Sequence, residues 1–337
     1  MPTLPLPIIG ALALGLLFAA LVLARDRYRL LSLLVGVCAL QGVIIALGQH
    51  YGVGLFRAVQ PVIAACIPPL SWVAFQASAV RALQPGRDSL HLTGPIVVLA
   101  CASYAPSALD LLIPAVFLGY GAVLLLAVSA GLDGMPGTRL ETGDVPNRIW
   151  GVVAVGLLVS AFIDGAISLA HMADLPHWQP WLVSAGSACM LLMLGGLAVS
   201  RHVKSSGRGE HATGTGRMPA QQPDPIADAE IVARLNVLLT DQELYLDPDL
   251  TLGRLSRRLG VPVKQLSAAI NRVTHGNVSR HVNRFRIERA CERLLAGESV
   301  AVAMDSSGFS TRSNFNREFR RITGKSPSDW RDAAARG

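Results

Sequence analysis

The chain has 337 residues, a mean hydropathy of +0.42 and only 16% charged residues, a composition outside the range of ordinary soluble proteins. Its formal net charge of +7 is unevenly spread: residues 226–337 hold 18 Lys+Arg against 13 Asp+Glu, and from Thr251 onward the balance is 17 against 7. A basic excess concentrated in a small region suits an anionic partner, although charge alone does not name it.

The first two hundred residues are a series of apolar runs, and about 20 apolar helical residues suffice to cross a bilayer. In chain order the runs are Leu4–Ala24, Leu30–Leu47, Val59–Val80, Leu90–Tyr104, Leu111–Leu132, Ile149–Ala170 and Trp181–Ser200. The fourth is short, and only Ala105–Asp110 parts it from the fifth, so that pair could instead be a re-entrant hairpin or one kinked helix. Basic residues argue for seven spans. The gaps after the first, third, fifth and seventh runs carry Arg25, Arg27, Arg29, Arg81, Arg87, Arg139, Arg148, Arg201, Lys204 and Arg208, whereas the opposite gaps carry only Arg57. The positive-inside rule then puts the N-terminus outside and the C-terminus in the cytoplasm. The first run has its positive charge after it and none before it, which is the reverse of a signal peptide.

Cys38, Cys66, Cys101 and Cys189 lie within runs and Cys291 lies beyond them, with no metal-like or disulfide-like spacing. Asp164 sits within the sixth run, and Asp110, His171, Asp174, His177 and His50 fall at or near the outer face of this topology. Ionisable groups at membrane depth are costly, so Asp164, Asp110 and His171 form a candidate sensor site for a ligand, proton or cation. The competing reading is a set of separate interfacial residues hydrated by headgroups. Trp72, Trp150, Trp178 and Trp181 fit interfacial anchoring or packing better than a cofactor site. The chain has no HExxH, no GxSxG and no paired catalytic carboxylates; neither an enzyme nor a metal or cofactor is expected.

Ser205–Pro225, SSGRGEHATGTGRMPAQQPDP, has no apolar period and cannot bury a core. It predicts a linker over 204–225 between a membrane domain (1–203) and a soluble domain (226–337). As a flexible coil it would span roughly 25 Å, passing on proximity better than rotation.

The soluble domain is helical by period. Ile231, Leu235 and Leu238 form one stripe, and Leu252, Leu255 and Leu259 make a short helix closed by Gly260. Val261-Pro262 then opens a second helix burying Leu266, Ile270 and Val273. The unit repeats: Val300–Ser307, a Gly308-Phe309 turn, and a helix from Thr311 burying Phe315, Phe319 and Ile322. A longer helix, Ser279–Leu295, joins the two, with Val282, Phe285, Ile287, Ala290 and Leu294 as its inward positions. Helix-turn-helix units are thus expected at about 251–273 and 300–323. At 100° per residue the outward faces carry Lys264, Gln265, Ser267, Asn271 and Arg272 in the first unit. In the second they carry Arg312, Ser313, Asn314, Asn316, Arg317 and Arg320. Arg and Asn at such positions read guanine and adenine edges, and others of the set bind phosphate.

Residues from about Leu246 to Arg331 resemble the DNA-binding domain of the AraC/XylS transcription regulators. The resemblance is carried by Leu259-Gly260-Val261, Asn283-Arg284-Phe285-Arg286-Ile287, Gly308-Phe309, Ser313-Asn314-Phe315, Arg317, Phe319-Arg320, Gly324, Ser326-Pro327 and Trp330-Arg331. It departs at Ala303-Met304 and Val278, all apolar exchanges. It implies one monomer placing both recognition helices in successive major-groove segments of double-stranded DNA. The family's soluble sensor barrel is replaced by apolar spans, so the resemblance says nothing about the signal.

The expectation is therefore an all-α protein: a seven-helix transmembrane bundle followed by two helix-turn-helix units on a connecting helix. In function it would be a one-component regulator in a bacterial cytoplasmic membrane. Its partners would be double-stranded DNA, the lipid bilayer, an unidentified signal and, through signal-dependent pairing, a second copy as a homodimer. The alternative is a transporter-like protein that regulates its own gene, although no internal repeat supports it.

Overall fold

Apolar sequence with no polar period satisfies its own backbone as helix, and the periodic C-terminal stretch has Gly, Pro and cap residues at its breaks. The computed structural model describes residues 6–23, 29–131, 135–142, 145–203 and 224–334. Among them there is helix and turn but no strand, only an isolated antiparallel bridge between Arg139 and Thr251. The chain divides into two units, 1–128 with 148–210, and 129–147 with 211–337.

The first unit contains α1 (Leu6–Leu23), α2 (Arg29–Ile45), α3 (Gly54–Phe75), the short α4 (Pro85–Asp88), α5 (Thr93–Tyr104), α6 (Leu109–Ser129), α7 (Val145–Met172) and α8 (Gln179–Val203). Turns of π-helix extend α2 to His50 and α3 to Val80. Among the described residues, four stretches are long and apolar enough to cross a bilayer: Arg29–His50, Gly54–Val80, Pro106–Ser129 and Val145–Met172. Where the predicted spans fall on described residues they lie largely on helix, but α5 has only 12 residues. A 3-10 turn at Ser89–Leu92 precedes it, and Ala105-Pro106 ends it because the residue before proline is driven out of the helical region. Within the unit α1 packs on α2 and α8, α2 on α3, and α3 on α5.

Large apolar side chains face outward along these helices: Leu16 is 75% exposed, Leu126 71%, Phe162 78% and Leu192 77%. Trp150 is instead buried, edge-on to Phe75 with centroids 5.6 Å apart, so it serves packing. Trp178 and Trp181 are exposed. Of the predicted linker, 204–223 lies outside the described residues, as do Arg25, Arg27, Lys204 and Arg208 from the charge count.

The second unit holds α9 (Pro225–Asp241), α10 (Leu252–Leu259), α11 (Val263–Thr274), α12 (Val278–Leu295), α13 (Val300–Asp305), α14 (Arg312–Thr323) and α15 (Pro327–Ala334). Its helix starts are capped as their sequence suggests. Asp224 accepts from the Ile226 and Ala227 amides, Thr251 from Arg254, Asn277 from Arg280 and Ser299 from Val302. Two cores flank α12. One joins Ile231, Leu235, Leu239, Leu252, Leu255, Leu266, Ile270, Val278 and Val282; the other joins Ile287, Ala290, Leu294, Ala303, Phe309, Phe315 and Phe319. Residues 135–142, between α6 and α7 in sequence, belong to this unit, and their Leu140 lies in the first core.

Candidate nucleic-acid interface

In the first helix-turn-helix, Leu252, Leu255, Leu266 and Ile270 are buried in the first core. Gly260 ends α10 at φ +68°, a left-handed position suited to glycine, and Ser256 Oγ donates to the Val261 carbonyl at 2.5 Å. Val273 does not join the core. It is 43% exposed, because the last turn of α11 runs past the packed helices before His275 terminates it.

On the outer side of α11, Lys264 and Asn271 are exposed, and Gln265, Ser267 and Ala268 are half-buried. Arg272 is placed differently from its neighbours. Its Nε donates to Asp228 Oδ2 at 2.5 Å and its Nη2 to Oδ1 at 2.8 Å. The fork therefore ties α11 to α9, and the guanidinium holds the Asp228 carboxyl below the usual carboxylate range.

The second unit turns at Gly308, φ +84°. A Cβ there would stand 2.6 Å from the Tyr245 carbonyl oxygen and 2.8 Å from Leu246 Cα and O. This position needs glycine both for its dihedral and for the backbone it meets. Phe309 and Phe315 meet edge-on at 5.4 Å, and Phe319 meets Trp330 edge-on at 6.0 Å. Trp330, on α15, thus packs against the second core.

The outer side of α14 presents Arg312, Ser313, Asn316, Arg317 and Arg320, all exposed, with Asn314 half-buried. Buried Glu318 accepts from Arg317 Nε at 3.2 Å and Arg321 Nε at 3.0 Å, fixing the direction of those two side chains. No hydrogen bond or ion pair to the described residues engages the side chains of Lys264, Arg312, Asn316 or Arg320. A row of uncommitted donors on the second helix of each unit can bind phosphates and base edges.

The connecting helix does more than link. Arg286 is fully buried, and its guanidinium donates to the Tyr245 carbonyl at 2.6 Å, the Asp247 carbonyl at 2.8 Å and Asn283 Oδ1 at 3.4 Å. It also lies 5.6 Å from the centre of the Phe309 ring. Burial lowers its pKa to about 10, opposed by the carboxylates of Glu141 and Asp247. One side chain thus pins the segment before α10 to the turn of the second unit. Sequence reasoning left Arg286 unassigned, although it falls one helical turn from Val282 and from Ala290 on the inward face.

Of the predicted sensor residues, Asp110 and Asp164 are linked only through their backbone carbonyls. Ser168 Oγ donates to the Asp110 carbonyl at 2.7 Å and to the Asp164 carbonyl at 3.0 Å, tying α6 to α7 near their ends. His171 instead pairs with Gln179 Oε1 at 3.3 Å. Among the described residues no three His, Cys, Asp or Glu side chains are grouped to hold a metal ion.

Residues 255–333 match the family described as Helix-turn-helix domain, and the match is of AraC type. It covers α10 to α15 and supports a DNA-binding transcription regulator. No curated protein and no solved structure matches the chain.

Proposed function

We propose that the chain is a membrane-embedded one-component transcription regulator, in which the helical N-terminal half senses a signal and the C-terminal domain binds specific DNA in the cytoplasm. The observation that carries this reading is the pairing, in one chain, of two features. One is a two-unit helix-turn-helix domain with donor rows on α11 and α14. The other is a set of helices whose outward faces are Leu and Phe. Such faces are stable against lipid and aggregate in water.

The excess of Lys and Arg in the gaps after the odd-numbered runs supports the orientation. Lys264, Gln265, Ser267, Asn271, Arg312, Ser313, Asn314, Asn316, Arg317 and Arg320 form the proposed DNA face, with Arg272 serving mainly to position α11. Asp164, Asp110 and His171 remain the proposed sensor residues.

The test uses full-length protein in native membranes and in nanodiscs. Alkaline carbonate should leave it in the pellet, and selection from a random duplex pool should enrich one sequence whose affinity falls steeply with salt. Extraction by carbonate would refute the membrane half. Equal binding to every duplex would refute the regulator half.

A further inference from the structure

Residues 135–142 lie between two apolar helices in the chain and would be expected only to join them. Their contacts say otherwise. The Pro136 carbonyl accepts the Gly253 amide at 3.0 Å, at the first turn of α10, and the Leu140 amide donates to the Leu250 carbonyl at 3.0 Å. Arg139 bridges to Thr251, and its guanidinium pairs with Asp249. Leu140 is 1% exposed inside the first core.

Glu141, fully buried, reaches the other unit. Its carboxylate accepts the Ser310 amide at 2.8 Å and the Ser310 hydroxyl at 2.5 Å, immediately before α14 begins. It is also a counter-charge to buried Arg286. One short segment therefore grips the start of α10, the arginine of the connecting helix and the entry to α14. The close approach is built into the domain: a Cβ at Gly253 would lie 3.1 Å from the Pro136 oxygen.

We propose that residues 135–142 are a docking strap, an internal partner of the DNA-binding domain that holds its two helix-turn-helix units in one relative placement. The strap touches α10, the arginine of α12 and the entry to α14, so its displacement would disturb both helix-turn-helix units. The docked strap is the state competent for DNA, since presenting two helices in register to successive grooves favours a pre-ordered domain. The consequence for DNA rests on the function proposed above, whereas the docking does not.

The test has two arms, both on the full chain in nanodiscs with a protease site placed within 205–223. In the first, Pro136→Cys is combined with Gly253→Cys. The Gly253 Cβ position lies 3.7 Å from Pro136 Cβ, within the range of about 3.5–4.5 Å that disulfides adopt. After mild oxidation and cleavage, the two halves should stay joined on a non-reducing gel, and each single variant should separate. Separation of the double variant would overturn the docking.

In the second arm, binding to the duplex enriched from the random pool, about 30 base pairs long so that it spans two groove segments a turn apart, is followed by fluorescence anisotropy. Arg139→Glu should weaken it several-fold, and Arg139→Glu with Asp249→Arg should restore it, which an unfolded domain could not do. The oxidised cysteine pair should keep the affinity of its reduced form. Unchanged affinity in Arg139→Glu would overturn the control of DNA binding. Absence of duplex binding by the unaltered chain would overturn the proposed function while leaving the cross-link result intact.

Discussion

Gly308→Ala should be among the most damaging single-methyl changes in the second unit. At φ +84° an alanine carries the left-handed penalty, about 1–2 kcal/mol. Its Cβ would also stand 2.6–2.8 Å from three backbone atoms of Tyr245 and Leu246. Backbone cannot swing aside as a side-chain tip can, so the turn must move, adding about 1–3 kcal/mol as in other overpacked sites. The total of about 2–5 kcal/mol is a large share of a domain's stability.

Gly297 supplies the control. Its φ is +86°, yet a Cβ there would meet nothing within 4 Å, so Gly297→Ala should cost only the dihedral strain of about 1–2 kcal/mol. Hydrogen exchange on the full chain in nanodiscs reads both through the slowest amides of α12 and α14. Each 1.4 kcal/mol accelerates exchange about tenfold where opening is global. Gly308→Ala should speed them by about thirtyfold to several-thousandfold, and Gly297→Ala by no more than about thirtyfold. Equal acceleration in the two variants would refute the argument from backbone contact.

Arg286→Met keeps much of the volume but strands the Tyr245 and Asp247 carbonyls and leaves Glu141 without its counter-charge. A loss of about 3–5 kcal/mol is expected, read by the same exchange experiment. Lys264→Ala should reduce the slope of log affinity against log salt by about one, whereas Arg272→Ala should appear mainly as faster exchange in α9 and α11. His281, whose Nε2 lies 2.7 Å from Asn236 Oδ1, has its pKa lowered by burial and by Arg284. The unfolded chain therefore binds the extra proton first, and stability should fall as pH drops below about 6.5 towards the folded value. His281→Gln should flatten stability in that window, measured by exchange at matched pH steps.

Much of the C-terminal domain could be read from local pattern. Glycines at 260, 308 and 324 and apolar positions at helical spacing each act over a few residues. What escaped that reading depends on contacts distant in sequence. Asp228 and Arg272 are 44 residues apart, and each alone looks like a solvated charge. Val273 continues the stripe of Leu266 and Ile270, but no helix covers the end of α11. The strap has no period to betray it; the only clue was two apolar side chains, Met135 and Leu140, in a segment whose remainder is turn-forming. In the apolar half the runs located the helices, while the local Pro and 3-10 geometry that shortens the fourth run is not a matter of hydropathy.

The strap also orders events during synthesis. Glu141 leaves the ribosome 169 residues before its partner Ser310, a delay on the order of ten to thirty seconds at bacterial-like elongation rates. Throughout that interval Glu141 is without its Ser310 partner, whereas the first-core residues that receive Leu140, up to Val282, emerge earlier. A fragment begun at Asp224 would lack the strap: its first core would miss a leucine, and Arg286 would miss an acid. Cutting the chain before Asp224 therefore removes part of the second unit itself.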